Sequence, residues 1–360
     1  MLNANTARTE SVLQIGAGGV GSAIAHKLAR HNNVTGDYVL ASRSRERVDR
    51  ILDSVRRNGG MKHPSRGLEG RVLDANDVGA TAQLLEELRP AIVVNAGPPQ
   101  VNVAVMEACV RTKTPYLDTS AAADLCSPGQ QVPEAYDPQW AFRERFADAG
   151  ITGILGAGFA PGVVSVFATY AEKHLFDSID TIDVLDAETN LLEIQGDSIY
   201  WEDGAWRRVP YHSRQITFDF PEVGPFTLYS TAHDEVRSLV EYIPVRRIES
   251  WMGLGAPDHT GKTCIGTLVE GARGGSRRRT FFYSVCDRET SHEEVESQAI
   301  SYMTGVSAVT AVLLYLLGAW SRPGLWSIEQ LDPDPFLALM PRVGLTWDVL
   351  EIGDESAPNP

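Results

Sequence analysis

The sequence predicts an α/β protein: an N-terminal doubly wound parallel sheet, followed by a C-terminal α+β domain for substrate binding or dimerisation. Three observations carry this. Strand and helix signals alternate from residue 11 to about 121, as in a parallel sheet covered on both faces. The first unit joins the apolar run Val12-Leu13-Gln14-Ile15 to Gly16-Ala17-Gly18-Gly19-Val20-Gly21, and then to Val20, Ile24 and Leu28 at helical spacing. Between 178 and 290 the pattern becomes that of a mixed or antiparallel sheet with hairpin signals.

The glycines of the first unit stand where a dinucleotide requires them. Gly16 allows the tight turn, Gly18 lets backbone approach a pyrophosphate, and Gly21 lets helix and strand pack closely. Gly19 and Val20 open the helix, whose free N–H groups receive phosphates. The expectation is a Rossmann domain. The strand over 37–42 selects the cofactor. An NAD site places Asp or Glu near its end, to bond the ribose 2′-hydroxyl. This chain has Ser42-Arg43-Ser44-Arg45 there. A hydroxyl and guanidinium groups suit a 2′-phosphate, which a carboxylate would repel. The reading is NADP(H), with Ser42, Arg43 and Arg45 as its contacts. The alternative is a solvated first turn of the next helix.

Further strands are expected at 12–15, 71–74, 91–95 and 115–118, and helices at 19–31, 44–57, 76–88 and 99–111. Ligands of such sheets bind at the carboxyl ends of the strands. Those ends hold Asp74-Ala75, Asn95-Ala96-Gly97-Pro98 and Asp118-Thr119-Ser120. Asp74 is placed beside the adenine and residues 95–98 beside the nicotinamide half. The alternative for each is a helix N-cap or turn.

From about residue 122 the pattern changes. A helix is expected over 140–149 and a strand over 151–155, leading into Gly156-Ala157-Gly158-Phe159-Ala160-Pro161-Gly162 and an amphipathic stretch over 163–174. This is a second glycine turn at which backbone can approach a ligand. Asp203-Gly204 signals a hairpin, and Ile216, Phe218 and Phe220 alternate as a half-buried strand. Strands at 263–270 and 280–286 flank a basic, Gly-rich hairpin end, and one long helix is expected over 294–317. The domains are drawn as 1–121 for the nucleotide, 122–295 for substrate and dimerisation, and 296–352 as helices packing back on the first domain.

Composition sets limits. The 360 residues allow two or three cores, and the formal charge of −15 argues against nucleic acid and anionic membranes as partners. Cys109, Cys126, Cys264 and Cys286 form no CxxC pair and the histidines show no metal-ligand spacing, so no metal is expected. The first ten residues are polar, and the longest apolar run, 306–317, is too short to span a bilayer, which takes about 20 residues. A soluble, cytoplasmic enzyme of small molecules is the expectation.

A nicotinamide enzyme needs orientation and a proton donor from its protein, while the cofactor supplies the hydride. Candidates in the second half are His233, Tyr229, Lys262, Trp251 and Tyr302. His233 is a general acid near neutral pH or a surface histidine at the start of a helix. Lys262, in Thr260-Gly261-Lys262-Thr263, lacks the upstream glycine and helix of a phosphate loop. His233 and Lys262 are the catalytic candidates, and Phe159, Ala160, Pro161, Gly162, Trp251 and Tyr302 the substrate pocket.

These segments resemble the saccharopine dehydrogenase (reductase) family, and within it the carboxynorspermidine and carboxyspermidine dehydrogenases. The resemblance rests on residues 12–21, 40–43, 116–120 and 158–162, on Phe220-Pro221-Glu222-Val223-Gly224-Pro225, Trp251-Met252 and residues 261–266, and on residues 297–305 and 332–336. It spans nearly the whole chain. It implies NADPH, a catalytic α+β domain that also forms a homodimer, and reduction of the imine of an amine and aspartate semialdehyde to a secondary amine. Two departures stand out. Ala160 occupies the aspartate position of the family's Gly-Phe-Asp-Pro-Gly, and a methyl group cannot hold a substrate ammonium as a carboxylate does. The chain also looks shortened around 188–194 and 255–258. Other outcomes are an NADP-dependent oxidoreductase of a different, specialised substrate, or an NADP(H)-binding protein without catalysis.

Overall fold

The computed structural model describes residues 11–58, 60–122, 134–189, 196–253 and 261–353. Among these residues run sixteen strands and twelve α-helices, numbered in chain order. The first sheet holds β1 (Ser11–Ile15), β2 (Asp37–Ser42), β3 (Leu68–Val72), β4 (Ile92–Asn95), β5 (Tyr116–Asp118), β6 (Thr152–Leu155) and β15 (Gly324–Ser327). Their order is β15-β6-β5-β4-β1-β2-β3, and every pairing is parallel. Val12, Leu13, Ile92, Val93, Val94 and Leu117 are all fully buried. Helices on both faces force such continuous apolar runs.

Six helices accompany the first five strands and the approach to β6: α1 (Gly19–Arg30), α2 (Asn32–Thr35), α3 (Arg45–Arg57), α4 (Val78–Leu88), α5 (Asn102–Thr112) and α6 (Asp137–Trp140). Ser44 and Asp77 cap α3 and α4, accepting from the backbone N–H of Arg47 and Ala80. The first sheet runs past residue 121, where the sequence suggested a boundary. After α7 (Arg143–Ala149), β6 pairs with β5, and β15 pairs with β6 from almost 170 residues downstream. β3 lies at Leu68–Val72 rather than 71–74, because its pairing with β2 sets its start opposite Tyr38.

The turn after β6 leads into α8 (Val163–His174), which packs on the second sheet. Thr267 donates its hydroxyl to the Val164 carbonyl at 2.8 Å, joining the second sheet to this helix. The second sheet holds β7 (Ser178–Thr189), β8 (Ser198–Glu202), β9 (Ala205–Val209), β10 (Gln215–Phe220), β11 (Gly224–Thr231), β12 (Arg247–Gly253), β13 (Lys262–Arg273), β14 (Ser276–Asp287) and β16 (Asp348–Glu351). Its main path is β10-β11-β12-β7-β13-β14-β16, and β8 pairs with β12 and β9. The path is antiparallel except for β12 with β7, so the sheet is mixed. It curls strongly: the rings of Phe218 on β10 and Phe281 on β14 lie 4.8 Å apart although four strands separate them. The expected hairpins are present at Asp203-Gly204 and at Gly274-Gly275.

The helix α9 (Asp234–Tyr242) joins β11 to β12. The long helix expected over 294–317 is two helices, α10 (Arg288–Val295) and α11 (Ala299–Leu316). Glu296 between them adopts the left-handed conformation, φ 51°, which ends α10. α11 is long and apolar enough to cross a membrane by length and composition, and 78% of it is buried inside the protein. It packs along α1, where Gly305 removes the side chain that would strike Ala23. After β15, α12 (Pro333–Val343) packs on α11 and α8, and the chain ends this path in β16 at the edge of the second sheet. Of the shortened segments suggested by the sequence, around 188–194 and 255–258, all but residues 188 and 189 at the end of β7 lie outside the described residues.

Candidate functional site

The nucleotide end of the site is built by backbone. Gly16 sits at φ +111°, where a Cβ would run into the carbonyl of Ala96. A Cβ on Gly21 would run into the carbonyl of Gly16, so strand and helix meet only through glycine. Gly18 is different: a Cβ there would meet nothing within 4 Å. Protein packing does not require that glycine, whereas a pyrophosphate lying on the turn does. No side chain caps α1 and no acid lies in its first turn, so the N–H groups of Gly19 and Val20 face outward beside the positive end of the helix. A Cβ on Gly19 would lie 2.7 Å from Ser301 Oγ and 2.9 Å from Ser297 Oγ, which brings the start of α11 to the same turn.

A cavity of about 230 Å³ opens beside this turn, lined by Gly16, Ser42, Arg43, Asp74, Ala75, Gly97 and Pro98. The sequence assigned all seven to the cofactor. Among the described residues Arg43 has no ion pair. Arg45 instead points away and pairs with Asp49 at 2.8 Å on the exposed face of α3. Asp74 accepts from the backbone and side chain of Asn76, and these bonds hold its carboxyl below the usual range. Hydroxyl, guanidinium, open glycine and helix N-terminus together fit a phosphorylated dinucleotide.

The strand ends beyond it are held from within. Asn95 is buried, donates to Asn102 Oδ1 at 2.8 Å and accepts from the Gly97 N–H at 3.1 Å. It shapes the Ala96–Pro98 turn and its side chain is not available to a ligand. The same correction holds for Asp118, which is fully buried and accepts from the Gly156 N–H at 2.8 Å and from Gln139 Nε2 at 2.6 Å. Burial pushes its carboxyl up to about 7, against those two donors. It ties β5 to β6. The Ser120 carbonyl accepts from Asn102 and Gln139, and a Cβ on Gly158 would lie 2.7 Å from the Thr119 carbonyl. Thr119 and Ser120 thus lie against the second glycine turn. There Gly158 and Gly162 bridge, Phe159 and Pro161 are buried, and Ala160 is partly exposed.

The histidine comes to this edge from the second domain. The backbone N–H of Ala121, three residues after Asp118, donates to Asp234 Oδ2 at 2.9 Å. That bond fixes the start of α9 against the loop after β5, with His233 at the N-cap. His233 Nδ1 hydrogen-bonds Glu235 Oε2. Behind the glycine turn the Tyr136 hydroxyl reaches the Gly156 position, and Asp118, Asp234, Glu235 and Glu329 all interact with Tyr136. Ser238 donates to Glu329 Oε1 at 2.6 Å, and burial raises the Glu329 carboxyl. The sequence reading named neither Tyr136 nor Glu235 nor Glu329. His-x-Glu spacing was the only visible sign of Glu235, and nothing marked the other two.

Three expected residues lie elsewhere. Lys262 pairs with Glu222 at 2.6 Å at the start of β13, a partly exposed ion pair that holds β13 to the β10–β11 turn. Trp251 is buried and donates its indole N–H to Asp183 at 2.9 Å. Arg247 bridges that aspartate to Glu249, and Arg214 pairs with Glu249 at 3.0 Å, so the group is an internal ion network of the second sheet. Tyr302 donates to Glu294 at 2.7 Å or to the Gly344 carbonyl at 2.8 Å and lies 2.8 Å from Lys27 Nζ. It joins α1, α10, α11 and the end of α12. No group of three or more histidine, cysteine or carboxylate side chains suited to a metal occurs among the described residues.

Comparison with known proteins agrees with this geometry. A family model described as "Saccharopine dehydrogenase NADP binding domain" matches residues 12–154. Carboxynorspermidine synthase of Vibrio cholerae serotype O1 is 49% identical over 402 aligned positions, covering 95% of this chain and 97% of that protein. The chain belongs to the saccharopine dehydrogenase family. As a member it is an oxidoreductase with NADP(H) as its cofactor, which the Ser42–Arg43 strand end and the open Gly18 turn fit. Carboxyaminopropylagmatine dehydrogenase of Synechocystis sp. is 32% identical over 93% of this chain and 96% of that protein. Apo saccharopine dehydrogenase (L-Glu forming) of Saccharomyces cerevisiae shares the fold, with a TM-score of 0.70 at 11% identity over 96% of this chain and 100% of that one. The alignment to the Vibrio family member needs 402 positions, while 95% of 360 residues is about 342. About 60 of its positions therefore face no residue here, in keeping with the shortening seen in the sequence.

Proposed function

We propose that this family member is an NADPH-dependent reductase of a C=N bond, turning the imine of an amine and a carbonyl compound into a secondary amine. The observation that carries the reading is the bond from Ala121 N–H to Asp234, which sets His233 against the loop after β5, at the carboxyl edge of the first sheet. Two relatives named for carboxylated amines, a carboxynorspermidine synthase and a carboxyaminopropylagmatine dehydrogenase, support the same chemistry.

Gly18, the N-terminus of α1, Ser42 and Arg43 hold the dinucleotide. Bound NADPH supplies a hydride to carbon. The chain's own residues do the rest: they orient the substrate at the 156–162 turn, shield it from water and bring a proton to its nitrogen. Asp234 adds a carboxylate at this edge, which favours an ammonium-bearing substrate although Ala160 offers no carboxylate. The loss of that acid and of about 60 aligned positions makes a second reading worth testing, an NADP(H)-binding protein without turnover.

The test is NADPH consumption with a panel of amines mixed with aldehydes or keto acids, products being read by mass spectrometry. A product heavier than the amine by the carbonyl partner less one oxygen is expected. Tight NADPH binding with no turnover on any pair would move the second reading to the front.

A further inference from the structure

One pair of side chains at this edge has geometry beyond what substrate placement requires. His233 occupies the N-cap position of α9 without a side-chain capping bond, and Glu235 lies in the first turn, two residues on. The imidazole Nδ1 is hydrogen-bonded to Glu235 Oε2. The side chain of His233 retains 18% of its accessible surface and that of Glu235 none, so the ring is partly exposed and its carboxylate is not. Glu235 is itself held in place: α9 is anchored at its start by Asp234 to Ala121, and one turn on by Ser238 to Glu329. Among the described residues, Asp234 on α9, Glu329 in the turn at Ile328–Gln330 and Asp118 on β5 act with Glu235 on Tyr136 ahead of α6. Glu235 Oε1 has no hydrogen-bond partner among the described residues.

We propose that Glu235 is a positioning residue that fixes the His233 ring with its proton on Nδ1, so that Nε2 is the nitrogen that exchanges a proton with the substrate. A carboxylate oxygen only accepts, so the ring nitrogen facing it must donate. The other nitrogen is then the one whose protonation changes. In the step itself the Nε2–H bond of the imidazolium breaks and its electron pair stays on Nε2. The substrate nitrogen forms the new N–H bond with its own lone pair, and the neutral ring keeps Nδ1–H on Glu235. The inference rests on the imine-reductase reading for its substrate, but the ring geometry does not.

The experiment uses the full chain and two variants, Glu235→Gln and Glu235→Asp. Nitrogen-15 NMR of histidine-labelled protein reads the tautomer, with the His233 signal assigned by its loss in His233→Gln. The wild type is expected to show neutral His233 as the Nδ1–H tautomer, and Glu235→Gln a mixture. On the amine–carbonyl pair that the panel identifies, Glu235→Gln is expected to lower kcat by roughly 10- to 100-fold, with the KM for NADPH within about twofold, and Glu235→Asp to regain most of the loss. An Nε2–H tautomer in the wild type, or unchanged tautomer and kcat in Glu235→Gln, overturns the proposal. If no pair in the panel is turned over, the imine-reductase reading fails, and the NMR result still decides the dyad.

Discussion

Arg43 is the side chain on which the choice of cofactor is expected to turn. It lines the cavity beside Gly16 with Ser42, makes no ion pair among the described residues, and feels the Asp74 carboxylate only through space. Arg43→Glu is expected to weaken NADPH by roughly 10- to 100-fold, the loss of one or two charge-assisted hydrogen bonds, and to leave NADH nearly unchanged. Fluorescence titration with both cofactors checks it, and an unaltered preference would remove Arg43 from the site. The glycines separate binding from folding in the same way. Gly18→Val should keep the thermal midpoint within a few degrees and lose NADPH affinity, since only a ligand occupies that direction. Gly21→Ala should destabilise the fold itself, because its Cβ meets the Gly16 carbonyl. His26 adds a pH signature. It is buried against Ser54, and desolvation lowers its pKa from 6.5 to about 4. The unfolded chain takes up this proton near 6.5 and the folded protein only near 4, so stability falls as pH drops through that window. Urea midpoints at pH 7.5 and 4.5 should differ less in His26→Gln than in the wild type.

At the scale of elements, the contact between α1 and α11 carries the nucleotide turn. Gly305 lies against Ala23, and Ser301 and Ser297 against Gly19, so small residues let the two helices approach closely. Gly305→Leu should cost about 1–3 kcal/mol by overpacking, read as a lower urea midpoint, and should weaken NADPH as well by displacing the start of α1. The elements differ in how readable they were. The β1-turn-α1 unit and the Asp-Gly hairpin declare themselves locally, through period and glycine placement. Tyr302 does not, because its partners Lys27, Glu294 and Gly344 come from three other segments. Asp118 and Asn95 sit where ligands bind in such sheets, yet burial turned both into internal ties. His233 was legible as a candidate, while its setting depends on Ala121 and Tyr136, each about 100 residues away.

For the whole molecule, the two sheets are completed by strands from the last 40 residues. β15 forms the edge of the first sheet and β16 the edge of the second, and α12 packs against α8 and α11 between them. The chain should therefore unfold in one cooperative transition rather than two. Excess NADPH, at about 100 times its dissociation constant, should stabilise it by about 2.7 kcal/mol. Calorimetry with and without NADPH tests both, and two resolved peaks in the apo protein would refute the coupling.

The position of β15 also bears on biosynthesis. A ribosome releases β6 long before the strand that covers its outer edge. Until residues 324–327 emerge, the nascent chain presents the open hydrogen-bonding groups of β6 to any neighbouring strand. The interval lasts for almost 170 residues of translation, on the order of 10 to 30 seconds at ordinary elongation rates. A chain stopped before residue 324 is therefore expected to aggregate more readily than the full chain, its β6 edge staying unpaired.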